Sequence, residues 1–219
     1  ASIRQALGGK VPLIGFAGAP FTLASYAIEG GSSRNYIHTK QMMYGEPEVW
    51  HRLMDKFARA ITGYLRRQIK AGAQAVQLFD SWVGCLSAGD YAEYVMPHVQ
   101  LIFDGLKHEG VPLIHFGTGT TAILKSMRQA GGDVIGIDWR IPIDEAWAMV
   151  GYDRAVQGNL DPVTLFGPMH EIERRVMDIL RRAGGRPGHI FNLGHGILPN
   201  TPVEHVAATI DLVHKLSAR

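Results

Sequence analysis

The chain has 219 residues, 46% of them apolar, with 22 Lys and Arg against 20 Asp and Glu and a single cysteine, Cys85. That composition suits one sizeable core, as one large domain or a piece of one, and argues against disorder. The basic residues form no stripe for a nucleic-acid backbone, one thiol excludes an internal disulfide or thiolate zinc cluster, and neither a secretory signal nor an apolar run of roughly 18 residues is present, so a reducing, cytoplasmic location is expected.

The chain opens ASIRQALGGK, without a methionine, and Ile3 to Leu7 reads as the last turn of a helix stopped by Gly8 and Gly9, as though it begins in mid-fold. Short Val- and Ile-rich runs bounded by Gly or Pro then read as strands, alternating with segments of helical period. The first strand is VPLIGFAG from Val11. A helix follows from Pro47 to Ala71, with Val49, Leu53, Phe57, Ile61, Tyr64 and Leu65 on one face, Pro47 in its first turn and Gly72 as its stop. The second strand, AQAVQLFD from Ala73, precedes a helix over about Asp90 to His108 in which Pro97 marks a kink or break. VPLIHFGTG from Val111 leads to a helix over Thr120 to Ala130, and VIGIDW from Val134 to one over Pro142 to Val150. AVQGNLDP from Ala155 leads to Pro168–Ala183, and HIFNLGHG from His189 to Pro202–Leu216.

Strands apolar on both faces and separated by helices imply a parallel sheet with right-handed crossovers. Glycine and polar residues gather at their C-terminal ends: Gly18 to Pro20, Asp80 and Ser81, Gly117 to Gly119, Asp138, Asn159 and Asp161, and Gly194 to Gly196. A (β/α)₈ barrel carries its site on that rim. The expected fold is therefore α/β, a TIM barrel incomplete in this chain, with six of eight units in a single domain over residues 1–219.

The segments LIGFAGAPFTLASYAIEGG, QLFDSWVG, VIGIDW, VQGNLDP and NLGHGILP resemble, in order and from end to end, the signature segments of the uroporphyrinogen decarboxylase family. The family's arginine-rich first barrel segment and the loop with its catalytic aspartate have no counterpart in these residues. The resemblance implies conversion of the four acetate arms of uroporphyrinogen III to methyls, giving coproporphyrinogen III in haem biosynthesis. Protonation of a pyrrole carbon makes the substrate its own electron sink, so neither cofactor nor metal is demanded. It also implies a homodimer with facing clefts. Catalytic residues stay unassigned here, and isolated activity is not expected.

By the same resemblance His195, Ser81 and Tyr26 are substrate-binding positions. Taken alone, His195 between two glycines also reads as a turn histidine, Ser81 as a helix cap, and Tyr26 as an amphipathic core tyrosine. Phe16 and Phe79 near strand ends could floor the macrocycle, or simply pack. Asp138, Asn159 and Asp161 would repel or not serve a polyanion and read as loop-orienting or capping groups.

Three alternatives are weighed against this. GTGTTA from Gly117, with Asp138 some 20 positions on, imitates a dinucleotide fingerprint, but it sits inside a continuous β/α alternation instead of opening a domain. A corrinoid-linked zinc methyltransferase on the same barrel would need His-x-Cys at IHFGT, where His115 is followed by Gly117 in the thiolate position. The third is a non-catalytic barrel fragment.

Overall fold

A computed structural model describes residues 2–31 and 33–218. The fold is α/β, and the chain divides into two compact units, Ala1–Val134 and Ile135–Arg219. No helix among the described residues is long and apolar enough to cross a membrane.

The first unit contains α1 (Ser2–Ala6), β1 (Ile14–Gly18), α2 (Pro20–Glu29), α3 (Ile37–Gly45), α4 (Pro47–Lys70) and β2 (Ala75–Asp80). After a 3-10 turn at Val83–Cys85 come α5 (Ala88–Tyr94), α6 (Met96–Leu106), β3 (Leu113–Gly117) and α7 (Leu124–Ala130). The strands β1, β2 and β3 are neighbours in that order and parallel, with Phe16 opposite Gln77 and Phe79 opposite both Gly18 and Phe116. Side chains alternate across a pleated strand, so this register sorts them into two faces. Gly15, Val76, Leu78, Asp80, Leu113 and His115 point to the helices, while Ile14, Phe16, Gln77, Phe79, Ile114 and Phe116 share the other face. Gly15 has no room for a Cβ, because the Gln68 amide of α4 lies against it. That amide accepts from the Phe16 N–H and donates to the Phe16 C=O, both at 2.8 Å, and so satisfies the edge of β1 as a neighbouring strand would.

Burial of one helix stripe holds this unit together. In α4 the buried residues are Trp50, Met54, Ala58, Ile61 and Leu65. Fully buried Trp50 donates its Nε1–H to Tyr94 O at 2.9 Å, satisfying the indole that burial would otherwise strand.

β4 (Val134–Gly136) lies at the boundary, and the second unit continues with α8 (Ile143–Val150), β5 (Ala155–Leu160), α9 (Met169–Ala183), β6 (His189–Leu193) and α10 (Val203–Ser217). β5 and β6 are parallel, Val156 opposite His189 and Leu160 opposite Leu193. Ile137 N–H donates to Gln157 O at 2.7 Å, setting the end of β4 beside β5. The core is made by Trp147, Val156 and Leu160 with Ile172, Val176 and Ala183 of α9.

Each of the six expected strands is present. The helices differ in four ways. α2 and α3 were not foreseen, and Asp90–His108 is two helices, broken at Val95 just ahead of Pro97. The N-terminal part of Thr120–Ala130 is a 3-10 turn over Thr121–Ile123. In α4 the expected Ile61 and Leu65 are buried, but the first half of the stripe falls one position on, with Trp50, Met54 and Ala58 buried in place of Val49, Leu53 and Phe57, and Val49 and Tyr64 are exposed.

Candidate active site

In the first unit β2 passes into the turn Phe79-Asp80-Ser81-Trp82. Phe79 meets Phe16 edge-on with ring centroids 5.7 Å apart, and meets Phe116 at 5.6 Å. The three rings make a row across three strands, graded from Phe116, 4% exposed, to Phe16, 62% exposed. Phe16 and Phe79 thus share a surface, on which Phe16 is largely exposed.

Asp80 and Trp82 tie this turn to α2. Asp80 is fully buried, and its Oδ1 accepts from the Thr22 hydroxyl at 3.0 Å. The nearby Thr22 backbone N–H also favours its charged form. Ala19, at the N-cap of α2, supplies no side-chain cap, so a carboxylate from 58 residues away occupies the position an Asp or Ser cap would fill. Burial pushes the Asp80 carboxyl up to about 7, with the Thr22 donors pulling the other way. Ser81 is half-buried. It caps no helix: the 3-10 turn that follows has Trp82 at its N-cap without a side-chain bond, and Ser87 caps α5 by accepting from Asp90 N–H.

Tyr26 is 51% exposed, and its ring meets Trp82 edge-on at 6.2 Å. A cavity of about 140 Å³ adjoins it, lined by Ser25, Tyr26, Gly31, Ser33, Tyr36 and Trp82. Tyr36 is buried, its ring tilted over Trp82 at 6.3 Å, and desolvation pushes its phenol up to about 12. Burial drives the Cys85 thiol up to about 11 despite nearby Lys40.

In the second unit Gly194 is buried, and its N–H donates to Leu160 O at 2.7 Å. A Cβ on Gly194 would stand 2.7 Å from Trp139 N and 3.1 Å from Asp138 Cα, so this glycine is required by close backbone approach. Gly196 has open space around it. The two glycines therefore serve different ends: Gly194 seats the strand end, and half-buried His195 is presented between a fixed and an unconstrained position.

The residues set aside from the site hold loops together. Asp138 accepts from Arg140 N–H at 3.0 Å and from its guanidinium at 2.6 Å. Asn159 Nδ2 donates to Asp138 O and Ile141 O, and Asp161 caps the turn after β5 by accepting from Val163 N–H.

His115 is fully buried on the helix-facing side of β3, where Nδ1–H donates to Met127 O at 3.3 Å, and desolvation lowers it to about 4. Among the described residues no group of three His, Cys, Asp or Glu could hold a metal ion. The GTG loop is filled by protein: a Cβ on Gly84 would clash with Thr118 O and stand 2.8 Å from Gly119 Cα. Its glycines answer packing against the Val83–Cys85 turn.

Sequence reasoning passed over Trp82, Tyr36 and Phe116. Trp82 was adjacent to Ser81 in QLFDSWVG, and Phe116 holds in LIHFG the place that Phe79 holds in QLFD, so both had a visible signal. Tyr36 had none.

A family model described as Uroporphyrinogen decarboxylase (URO-D) matches residues 1–216. A protein from Sorangium cellulosum named Uroporphyrinogen decarboxylase is 61% identical over 214 residues, which cover 98% of this chain and 61% of that protein. One of the same name from Carboxydothermus hydrogenoformans is 58% identical over 216 residues, covering 99% and 62%. The chain thus spans less than two thirds of the length of these curated relatives. Among solved structures, a methyltransferase from Methanosarcina mazei matches with a TM-score of 0.84 at 20% identity, over 99% of this chain and 62% of that one. At that identity the likeness concerns the fold alone.

Proposed function

The chain belongs to the uroporphyrinogen decarboxylase family, and from that premise we propose that it serves the decarboxylation of the four acetate side chains of uroporphyrinogen III to methyls, yielding coproporphyrinogen III. The observation that carries this reading is the 61% identity across nearly the whole chain, a span that includes Tyr26, Ser81 and His195.

A reduced tetrapyrrole with eight carboxylates needs an apolar seat for its rings and donors for its arms. The row Phe16, Phe79 and Phe116 supplies the seat in the first unit. Tyr26 and Ser81 of that unit carry hydroxyls that donate to carboxylate oxygens; the second unit, taken by itself, offers the His195 imidazole as a group able to bind a carboxylate or a pyrrole N–H. Protonating a ring carbon creates the electron sink, the C–C bond to the carboxylate breaks as carbon dioxide leaves, the resulting methylene takes a proton to become a methyl, and the ring carbon gives back the proton it first took, restoring the pyrrole with one proton consumed per acetate. This chain contributes binding and orientation to those steps. Its buried carboxylates at Asp80 and Asp138 engage protein donors, which suits a site for a polyanion. We further propose that the protein acts in the cytoplasm as a homodimer with clefts facing one another, without a cofactor.

Uroporphyrin, the stable oxidised octacarboxylate, tests this by quenching of its fluorescence on titration with the protein. Binding at micromolar concentration, much tighter than that of a porphyrin without carboxylates, is expected. Equal binding of the two would overturn the assignment.

A further inference from the structure

Asp80 lies one residue from Ser81, faces away from the ring row, and is fully buried, so it cannot meet a ligand seated on Phe16 and Phe79. Yet it anchors the helix that carries Tyr26. Three consecutive ties join the strand end to α2. Ala19 N–H donates to Phe79 O at 2.8 Å, the Thr22 hydroxyl donates to Asp80 Oδ1 at 3.0 Å, and the Tyr26 ring abuts Trp82 at 6.2 Å. Residues 19, 22 and 26 are spaced by three and four, so they lie along one stripe of the helix. Each residue of Phe79-Asp80-Ser81-Trp82 other than Ser81 is thereby engaged, and Ser81 is left half-exposed among three fixed neighbours.

We infer that Asp80 is a positioning residue: through Thr22 it locks α2 to the end of β2 and so sets the relative placement of the Tyr26 and Ser81 hydroxyls for a carboxylate-bearing ligand. The inference rests on the reading of Tyr26 and Ser81 as substrate contacts. Helix α2 has no cap of its own, so without Asp80 its first turn has a donor, the Thr22 hydroxyl, buried without an acceptor. A rotation of α2 about its axis then moves Tyr26, one turn further on, off Trp82.

The test is a double-mutant cycle on uroporphyrin binding. Thr22→Val keeps the shape and removes the donor. It should weaken binding about fivefold when Tyr26 is present and less than about twofold in Tyr26→Phe, where the hydroxyl it aims is already gone. Asp80→Asn, which still offers Thr22 an acceptor, should stay within about twofold of the parent, while Asp80→Ala should match Thr22→Val. Equal losses in both Tyr26 backgrounds, or Asn no better than Ala, would overturn the positioning role. If the parent protein binds no uroporphyrin, the functional reading fails by itself. The lock is then decided by amide exchange, which Thr22→Val should accelerate at least about tenfold in α2 and leave unchanged in α4; unchanged exchange in α2 overturns it.

Discussion

Asp80→Asn should change stability in a way that depends on pH and in one direction only. The carboxyl is fully buried and raised from an ordinary 3.8 to about 7, chiefly by desolvation. A carboxyl raised in the fold binds its proton more tightly there than in the unfolded chain. Its stabilising contribution is complete below pH 3.8, erodes as pH rises, and is gone above about 7. The span corresponds to about 4 kcal/mol. Asparagine has the shape of the protonated acid, still offers Thr22 an acceptor, and does not ionise. The variant should therefore match the parent near about pH 4 and exceed it by roughly 2 to 4 kcal/mol near about pH 8.5. Urea unfolding of both proteins at the two pH values reads this as a difference of differences, from which titrations elsewhere, such as that of His115, cancel. An Asn variant whose advantage is the same at both pH values, or that is less stable than the parent at the higher one, would refute the argument from desolvation.

His115 gives the mirror image. Its lowering from 6.5 to about 4 means a stabilising contribution present above 6.5 and lost as pH falls towards 4, about 3 kcal/mol in all. His115→Asn, which keeps a donor for Met127 O, should flatten the acid limb of a stability profile by that amount; an unchanged slope would count against it. Gly84→Ala forces a Cβ into Thr118 O and Gly119 Cα, and should lower stability by about 2 to 3 kcal/mol, seen in thermal unfolding. His195→Ala should weaken uroporphyrin binding about ten- to a hundredfold with the unfolding midpoint nearly unmoved. Loss of stability with affinity intact would make His195 a turn residue.

The strands were legible because each is a short apolar run between glycines or prolines, a signal set by local composition. α2 was equally visible in principle, with Pro20 at its first position and Gly30 in a left-handed conformation at its end, but PFTLASYAIEGG reads as a motif before it reads as a helix. α3 hides more thoroughly. It buries only Thr39 and Met43, and its N-cap is Tyr36 at φ 52°, which no residue rule anticipates. In the site, the order of Phe79, Ser81 and Trp82 along one turn could be read directly. The bond between Asp80 and Thr22 could not, since the partners are 58 residues apart and neither stands in a recognisable capping sequence. The role of Gly194 was likewise out of reach, because the constraint comes from the backbone of Asp138 and Trp139, not from its neighbours in the chain.

The ring row has a calorimetric consequence. Phe16 leaves 62% of itself in water while its neighbours Phe79 and Phe116 are progressively drier, so a flat ligand laid on the row dehydrates mainly one ring. Covering on the order of 120 Å² of aromatic surface removes about 50 cal/mol/K of heat capacity and contributes about 3 kcal/mol. The carboxylate contacts act in the opposite sense, since dehydrating polar groups raises heat capacity. The temperature dependence of the binding enthalpy therefore separates the seat from the arms: in Phe16→Ala it should become less negative, whereas in Tyr26→Phe, which removes only a polar atom, it should become slightly more so.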